Sequence, residues 1–284
     1  MSRPARSGDG ERTAAPRRVD GLLLAVGTLT AIRVPPPRSV DRRTARAAVL
    51  AAPLVGAGLA VIAALIVFAA RLLLDRADRG TATVLADLVA ATLGIAALAV
   101  ATRGLHLDGL ADTADGLGSR RPRDEALQLM RRSDIGPFGV TTLVLVLLLD
   151  AAALATCISA GHGTQALIAA GIGSRLAVVW ACHRRIPAAR TDGLGASVAG
   201  TVGTLAAVAV TLASLAAVAV VAWHDDDASL RSDVVTTVAP AVGVLAGLVL
   251  VRLARRRLGG VTGDVLGAVV EIAGCVTLLV VAAA

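Results

Sequence analysis

Apolar residues in this chain occur in long blocks that short polar connections separate. Most blocks approach or exceed the roughly 20 residues that a helix needs to cross a bilayer. Backbone polar groups in lipid must be satisfied within the segment, so such blocks predict helices. The seven blocks lie at residues 47–70, 84–102, 139–158, 164–181, 200–223, 234–251 and 265–284.

The N-terminal part follows a different pattern. Residues 1–18 are polar and Arg-rich, which predicts a disordered tail and gives no evidence of a cleavable signal peptide. Residues 19–32 are apolar but too few to span comfortably, so we expect an interfacial or re-entrant helix there. The three prolines of "RVPPPRSV" then prevent helix continuation. We therefore predict one integral-membrane catalytic domain over 19–284.

Composition supports this pattern. The chain has 284 residues, of which 56% are hydrophobic, and its mean hydropathy is +0.75. A soluble domain of this length would contain amphipathic segments and a larger charged fraction. The predicted fold class is all-α: a polytopic helical membrane protein with about seven transmembrane helices and a short additional helix at its N-terminal end.

The distribution of charge predicts the orientation. The net charge is +7 and every basic residue is Arg. Arg-rich connections alternate with connections that have little or no excess of Arg, which indicates positive-inside topology rather than nucleic-acid binding. The N-terminal side is then cytoplasmic, the C-terminus lies outside, and the unusual polar residues face the cytoplasm. The Arg-rich segments are 33–46, 103–132, 184–190 and 252–257.

The stretch "RGLHLDGLADTADGL" (103–117) carries the first candidate site. Asp108, Asp112 and Asp115 are spaced i, i+4, i+7, which places all three carboxylates on one face of a helix. Like charges so placed repel, and a divalent cation such as Mg²⁺ would relieve that repulsion. A solvated acidic turn is the structural alternative. His106, beside this cluster, is a candidate general base or metal ligand.

A second acidic element begins the last apolar block. Asp264 and Glu271 are again seven residues apart and share a helix face. Capping of the helix would explain Asp264. Glu271 lies two turns into an apolar block, where an ionisable residue indicates a functional site.

Several arginines are candidate phosphate ligands. Arg175 lies inside an apolar block, where it either binds a phosphate or pairs with an acid such as Asp87 or Asp150. We predict that substrate-binding arginines come from the Arg-rich connections and this block: Arg103, Arg120, Arg131, Arg175 and Arg190.

Two other groups of residues suggest no site. His224–Asp227 resembles a metal cluster by composition, but it falls on the predicted outer side without partners, which favours a solvated loop. Cys157, Cys182 and Cys275 are single residues inside apolar blocks, without metal-ligand or disulfide spacing. Carboxylates for a metal and arginines for phosphate, on one membrane face, together indicate metal-assisted phosphoryl transfer.

The chain resembles the cobalamin synthase (adenosylcobinamide-GDP ribazoletransferase) family over most of its length after the tail. The specific elements are "RGLHLDGLADTADGL" and "RLGGVTGDVLGAVVE", and "TAIRVPPP", "LQLMRRSDIGPFGV" and "SRLAVVWACHRRIPAARTDGLG" support them. The resemblance implies a transferase that joins adenosylcobinamide-GDP to α-ribazole or its 5′-phosphate and releases GMP, with Mg²⁺ as cofactor. It places His106, Asp108, Asp112 and Asp115 in the first element and Asp264 and Glu271 in the second.

The chain departs from the family pattern at two places. Many members have a further Glu where this chain has Gly274, so that acid is not essential here. Many also have Asp-Ser-Arg where this chain has Arg132, Ser133 and Asp134, which argues against a fixed role for either charge.

Two other functions remain open from the residues alone. A CDP-alcohol phosphotransferase would share the D-x-x-D-G of residues 112–116, but its downstream acidic repeat is missing. A secondary transporter would use Arg175, Glu271 and Asp150 along an ion path, but the chain has no evident internal repeat. The partners expected are small-molecule substrates and the lipid bilayer, without nucleic acid, and a homo-oligomer is left open.

Overall fold

A computed structural model of the chain describes residues 19–77, 83–223 and 229–284. The described residues form eleven α-helices and two isolated β-bridges. The helices are α1 (Asp20–Leu29), α2 (Arg42–Ala77), α3 (Thr83–Ala101), α4 (Leu105–Gly118), α5 (Arg123–Leu129), α6 (Pro137–Ser159), α7 (Gly163–Ala181), α8 (Gly193–Val198), α9 (Thr204–Ala222), α10 (Leu230–Leu258) and α11 (Gly263–Ala282).

Seven of these helices are long and apolar enough to cross a membrane, which confirms the predicted all-α polytopic fold. They are α2, α3, α6, α7, α9, α10 and α11, one for each predicted block. α2 and α10 extend beyond their blocks at the Arg-rich ends. Arginine is a good helix former, so a helix continues where the chain leaves the apolar layer.

Helix α7 lies at the centre of the bundle, packed against α2, α6, α9, α10 and α11. Small residues permit this close packing. A Cβ at Gly56 of α2 would overlap the carbonyl oxygen of Gly171 in α7, so the two backbones are in direct contact there. This crossing keeps α7, including Arg175, in the buried interior.

The N-terminal apolar stretch forms the short helix α1, as predicted, and α1 packs against α2. Gly21 sits against Ala47 of α2, since a Cβ at Gly21 would overlap the Ala47 Cβ. At the other end, the Ala31 N–H donates to the carbonyl of Ala101 at 2.6 Å. α1 is therefore fastened to α2 and to the end of α3.

Three of the predicted cytoplasmic connections meet at one end of the bundle. Arg123 of α5 donates from Nε to the Leu258 carbonyl and from Nη2 to the Ala189 carbonyl, both at 2.8 Å. The Ala189 N–H in turn donates to the Val261 carbonyl at 2.9 Å. The connections that follow α3, α7 and α10 are thus joined by hydrogen bonds at one end of the bundle, in agreement with the alternation of charge.

The remaining fold predictions concern residues outside the described ranges and the three cysteines. The predicted tail 1–18 and the His224–Asp227 loop lie outside the described residues. Cys157, Cys182 and Cys275 are buried free thiols, as predicted.

Candidate active site

The crossing of α4 and α11 brings the two acidic elements together. Gly109 of α4 lies directly on the backbone of Asp264, because a Cβ there would meet the Asp264 carbonyl oxygen at 2.7 Å. Gly267 of α11 faces α4 in the same way, since a Cβ on it would lie 3.3 Å from the backbone of His106. Two glycines at the crossing point therefore place Asp108 and Asp112 beside Asp264.

A cleft of about 290 Å³ opens beside this crossing. Its polar lining comes from α4, from the 182–203 connection and from the start of α11. These polar lining residues are His106, Asp108, Arg190, Asp192, Thr262 and Asp264. The residues that α1 and α2 contribute to the lining are apolar apart from Thr28, and α4, α7, α8 and α11 add further aliphatic residues.

Arg190 is the predicted arginine that the structure places most firmly in the cleft. Its Nη2 donates to the Leu127 carbonyl at 2.6 Å, and its Nη1 donates to the Asp264 carboxylate at 3.4 Å. Its side chain is mostly buried, with one-sixth (16%) of it exposed. The guanidinium is thus held in a fixed position with a positive charge directed at the acidic cluster.

Arg131 pairs with an acid that the sequence did not single out. Its Nη2 donates to both oxygens of Asp192, at 2.7 and 2.8 Å, on the exposed rim of the cleft. Asp192 and Arg131 are 61 residues apart, and no spacing in the sequence indicates this pair. Asp192 and Thr262 are the cleft residues that sequence reasoning missed.

Asp112 lies in the most strongly perturbed environment of the cluster. Burial raises the pKa of its carboxyl to about 7, and the negative charges of Asp108, Asp264 and Asp115 add to the rise, while Arg190 opposes it. One arginine against several carboxylates leaves negative charge uncompensated. Such a site favours either a proton or a bound cation.

Asp115 has a different environment from the other two aspartates of α4. Its side chain is buried and accepts two backbone hydrogen bonds, from Gly136 N–H at 2.7 Å and from Gly139 N–H at 2.9 Å. These N–H groups belong to the start of α6, where a helix has free donors and a partial positive charge. Asp115 therefore caps α6 from a neighbouring helix. Its metal role stays a prediction.

Glu271 lies apart from the other predicted metal ligands. It lines a second, inner cavity of about 70 Å³ together with His106, Asp150 and Arg175. The His106 Nδ1 is 4.0 Å from the Glu271 carboxylate, and Arg175 donates to the Ser174 hydroxyl at 2.9 Å. Of the five predicted carboxylates, Asp108 and Asp264 line the cleft, Glu271 lines the inner cavity, and Asp112 and Asp115 line neither.

His106 borders both cavities and is buried, and neither of its ring nitrogens has a hydrogen-bond partner among the described residues. Burial lowers the pKa of its imidazole to about 3, and the charge of Arg175 contributes to this. The ring is therefore neutral at physiological pH, as a metal ligand must be, while so low a pKa makes it a weak proton acceptor.

The remaining predictions have mixed outcomes. The suggestion that Arg175 pairs with Asp87 is wrong, because Asp87 forms its ion pair with Arg71, whose Nε lies 3.0 Å from Oδ1, between α2 and α3. Asp150 does share the inner cavity with Arg175. Arg103 donates to the Gly27 carbonyl of α1 at 3.5 Å, and Arg120 is exposed after α4. Neither Arg103 nor Arg120 lines the cleft or the inner cavity, so their substrate contacts stay predictions.

The donor chemistry of the cleft fits a cation that is shared with substrate. Among the described residues, no three His, Cys, Asp or Glu side chains are grouped closely enough to hold a metal ion unaided. Mg²⁺ usually keeps several waters and binds one or two carboxylates together with substrate phosphates. Asp108, Asp112 and Asp264 supply hard oxygen donors of that kind, so the residues fit such an ion better than a closed cage.

Comparison with known proteins identifies the family. A family profile described as "Cobalamin-5-phosphate synthase" matches residues 21–282. The chain belongs to this family. It is accordingly a transferase of cobalamin biosynthesis. This membership argues against both alternatives, the CDP-alcohol phosphotransferase and the transporter.

Curated relatives agree over nearly their full length. A protein of Frankia casuarinae named adenosylcobinamide-GDP ribazoletransferase is 43% identical over 89% of this chain and 91% of its own. A protein of the same name from Nocardioides sp. is 42% identical over 93% of this chain and 99% of its own. No solved structure matches the chain.

Proposed function

We propose that this cobalamin synthase transfers the cobinamide phosphate of adenosylcobinamide-GDP to α-ribazole or its 5′-phosphate, with release of GMP. The relatives' names supply the reaction. The single observation that favours its location is the α4–α11 crossing, which assembles Asp108, Asp264 and Arg190 around one cleft, with Asp112 close to these charges. The protein would lie in the cell membrane, and by the positive-inside pattern the cleft would open on its cytoplasmic face.

The transfer exchanges one phosphorus–oxygen bond for another. An acceptor hydroxyl oxygen attacks the phosphorus that bears cobinamide, the bond from that phosphorus to the GMP oxygen breaks, and the hydroxyl proton passes to a base. The candidates for the base are the Asp112 carboxylate, whose pKa is raised to about 7, and the His106 imidazole, which is buried and lines the cleft.

The chain's own residues mainly position the substrate phosphates and balance their charge. Arg190, fixed by Leu127 and Asp264, offers its guanidinium to a phosphate oxygen. Asp108, Asp112 and Asp264 would hold Mg²⁺, which supplies positive charge against the pyrophosphate. The Thr262 hydroxyl, 3.2 Å from the Asp264 carboxylate, holds that side chain in place.

Replacement of Asp112 by Asn tests the assignment. The purified variant should lose about 100-fold or more in GMP release from GDP-cobinamide, α-ribazole and Mg²⁺, since even outer-sphere partners of metals contribute about 10–100-fold. It should still insert into the membrane. The matched control is Asp124→Asn, an exposed acid on α5, which should keep full activity.

Near-normal turnover in Asp112→Asn would contradict the site assignment. Absence of GMP release by the unaltered protein would contradict the proposed reaction itself.

A further inference from the structure

The cleft has a polar half and an apolar half. The polar half contains Asp108, Arg190 and Asp264, which the proposed function assigns to phosphate and cation. We call the part of the lining that α1 and α2 contribute the apolar half; among the described lining residues, Thr28 is the single hydroxyl that those two helices contribute, and other helices add further aliphatic residues. The aliphatic residues are Leu24, Ala25, Leu29, Ala48, Val49 and Ala52.

The apolar half is a fixed wall. Gly21 seats α1 on α2 by direct contact with Ala47, and the Ala31 N–H joins the end of α1 to Ala101 at 2.6 Å. Small side chains at Ala25, Ala48 and Ala52 leave the space that larger residues would fill. A wall held in this way offers a preformed binding surface, which reduces the ordering cost of binding.

We propose that this wall binds the base of the acceptor nucleoside, an apolar heteroaromatic ring such as the dimethylbenzimidazole of α-ribazole. The inference rests on the proposed function. The ribose then bridges the two halves, and its reacting hydroxyl reaches the edge of the cleft where Asp108 and Asp264 lie.

The chemistry of the wall argues against the other ring systems in the reaction. Guanine has a hydrogen-bonding edge that this wall could meet only at Thr28, and each buried polar group left unpaired weakens binding by about tenfold. The corrinoid macrocycle is restricted in the same way, because its amide side chains would also find only Thr28 as a polar partner on this wall. A methylated bicyclic base satisfies both restrictions.

Ala48→Leu fills the wall without altering a charged residue. Ala48 lines the cleft and is buried, with 7% of its surface exposed, so a larger side chain there must either enter the cleft or press on the neighbouring side chains of α1. We expect the KM and the directly measured Kd for α-ribazole to rise about tenfold or more, because overpacking forces the surrounding groups apart. The KM for the GDP-linked donor should change by less than about twofold, since a wall residue touches only the acceptor. The control is Ala69→Leu on the exposed side of α2, which should leave both values unchanged.

Acceptor analogues test the same surface in the unaltered protein, and so do not depend on the folding of a variant. Removing both methyl groups from the base should raise Kd about 15-fold, since each buried group of this size changes the affinity about fourfold. GMP should not displace α-ribazole from the wall.

Three results would overturn the proposal: a donor KM that rises while the acceptor KM does not, equal affinity for methylated and unmethylated bases, or displacement of α-ribazole by GMP. The binding measurements separate this proposal from the reaction. If α-ribazole binds and Ala48→Leu weakens that binding, but no GMP is released, then the transfer fails and the binding wall stands.

Discussion

Asp112 and Asp115 lie three residues apart on α4, yet the structure gives them different roles. Asp112 lies among carboxylates, which together with burial raises its pKa to about 7. Asp115 instead has both oxygens occupied by N–H groups at the start of α6. Gly136 and Gly139 are required there, since a Cβ on either would overlap the Asp115 carboxylate. One aspartate therefore belongs to the acidic cluster at the α4–α11 crossing, and the other holds α4 to α6.

Asp115→Asn should lower stability more than it alters the charge of the cleft. The amide cannot accept both backbone hydrogen bonds, and a hydrogen bond to a charged group contributes about 1.5–3 kcal/mol. We expect a clear fall in the midpoint of thermal unfolding in detergent. Asp108→Asn, on the same helix but exposed, is the control and should not lower the midpoint. Equal midpoints for the Asp115 variant and the unaltered protein would show that the cap is dispensable.

At the scale of elements, the site depends on how closely two helices approach. α4 is short and lies between the spans α3 and α6, and its register against α11 is fixed where Gly109 meets Asp264. Close approach of this kind is how helices associate in lipid, where there is no hydrophobic drive between them. The acidic elements would not share a cleft if larger residues separated the two backbones.

Gly109→Ala should therefore impair catalysis through geometry. The added Cβ would come within 2.7 Å of a backbone carbonyl, so α4 must move away from α11. We expect about a tenfold or greater loss of kcat/KM, because small misplacements of reacting groups cost that much or more. Gly58→Ala is the matched control, since nothing lies within 4 Å of a Cβ at that helical position. Full activity in Gly109→Ala would exclude a requirement for close crossing.

At the scale of the whole molecule, the polar connections after α3, α7 and α10 converge at one end of the bundle. This convergence agrees with the positive-inside pattern, which assigns that end to the cytoplasm. The connection between α6 and α7 lies at the opposite end of the bundle, because it precedes α7 whereas the polar connection follows it. The two ends of the molecule can therefore be distinguished by chemical access.

Single cysteines should report this orientation. Arg121→Cys, in the connection between α4 and α5, should react with a membrane-impermeant maleimide only from the cytoplasmic side, and Ala160→Cys only from the opposite side. Both positions are exposed, and the three native cysteines are buried and should give little background. Labelling of Arg121→Cys in intact cells would show that the orientation is the opposite of the predicted one.

The sequence by itself determined the number and type of the spanning helices. Their length and hydropathy follow from the thickness of the bilayer, and lipid leaves a helix few alternatives. The alternation of arginines likewise predicted that the polar connections share one side. The conspicuous acids could be found because charges are costly within apolar segments, as Glu271 illustrates.

Only the tertiary structure decided which of these acids share a site. The i, i+7 spacing groups Asp264 with Glu271, yet the structure gives Asp264 to the outer cleft and Glu271 to the inner cavity. It also gives Asp115 to the start of α6 and pairs Arg131 with Asp192. Spacing along one helix specifies a shared face, but the neighbours of that face depend on contacts between residues far apart in the chain. Here those contacts depend on where glycines allow two helices to meet.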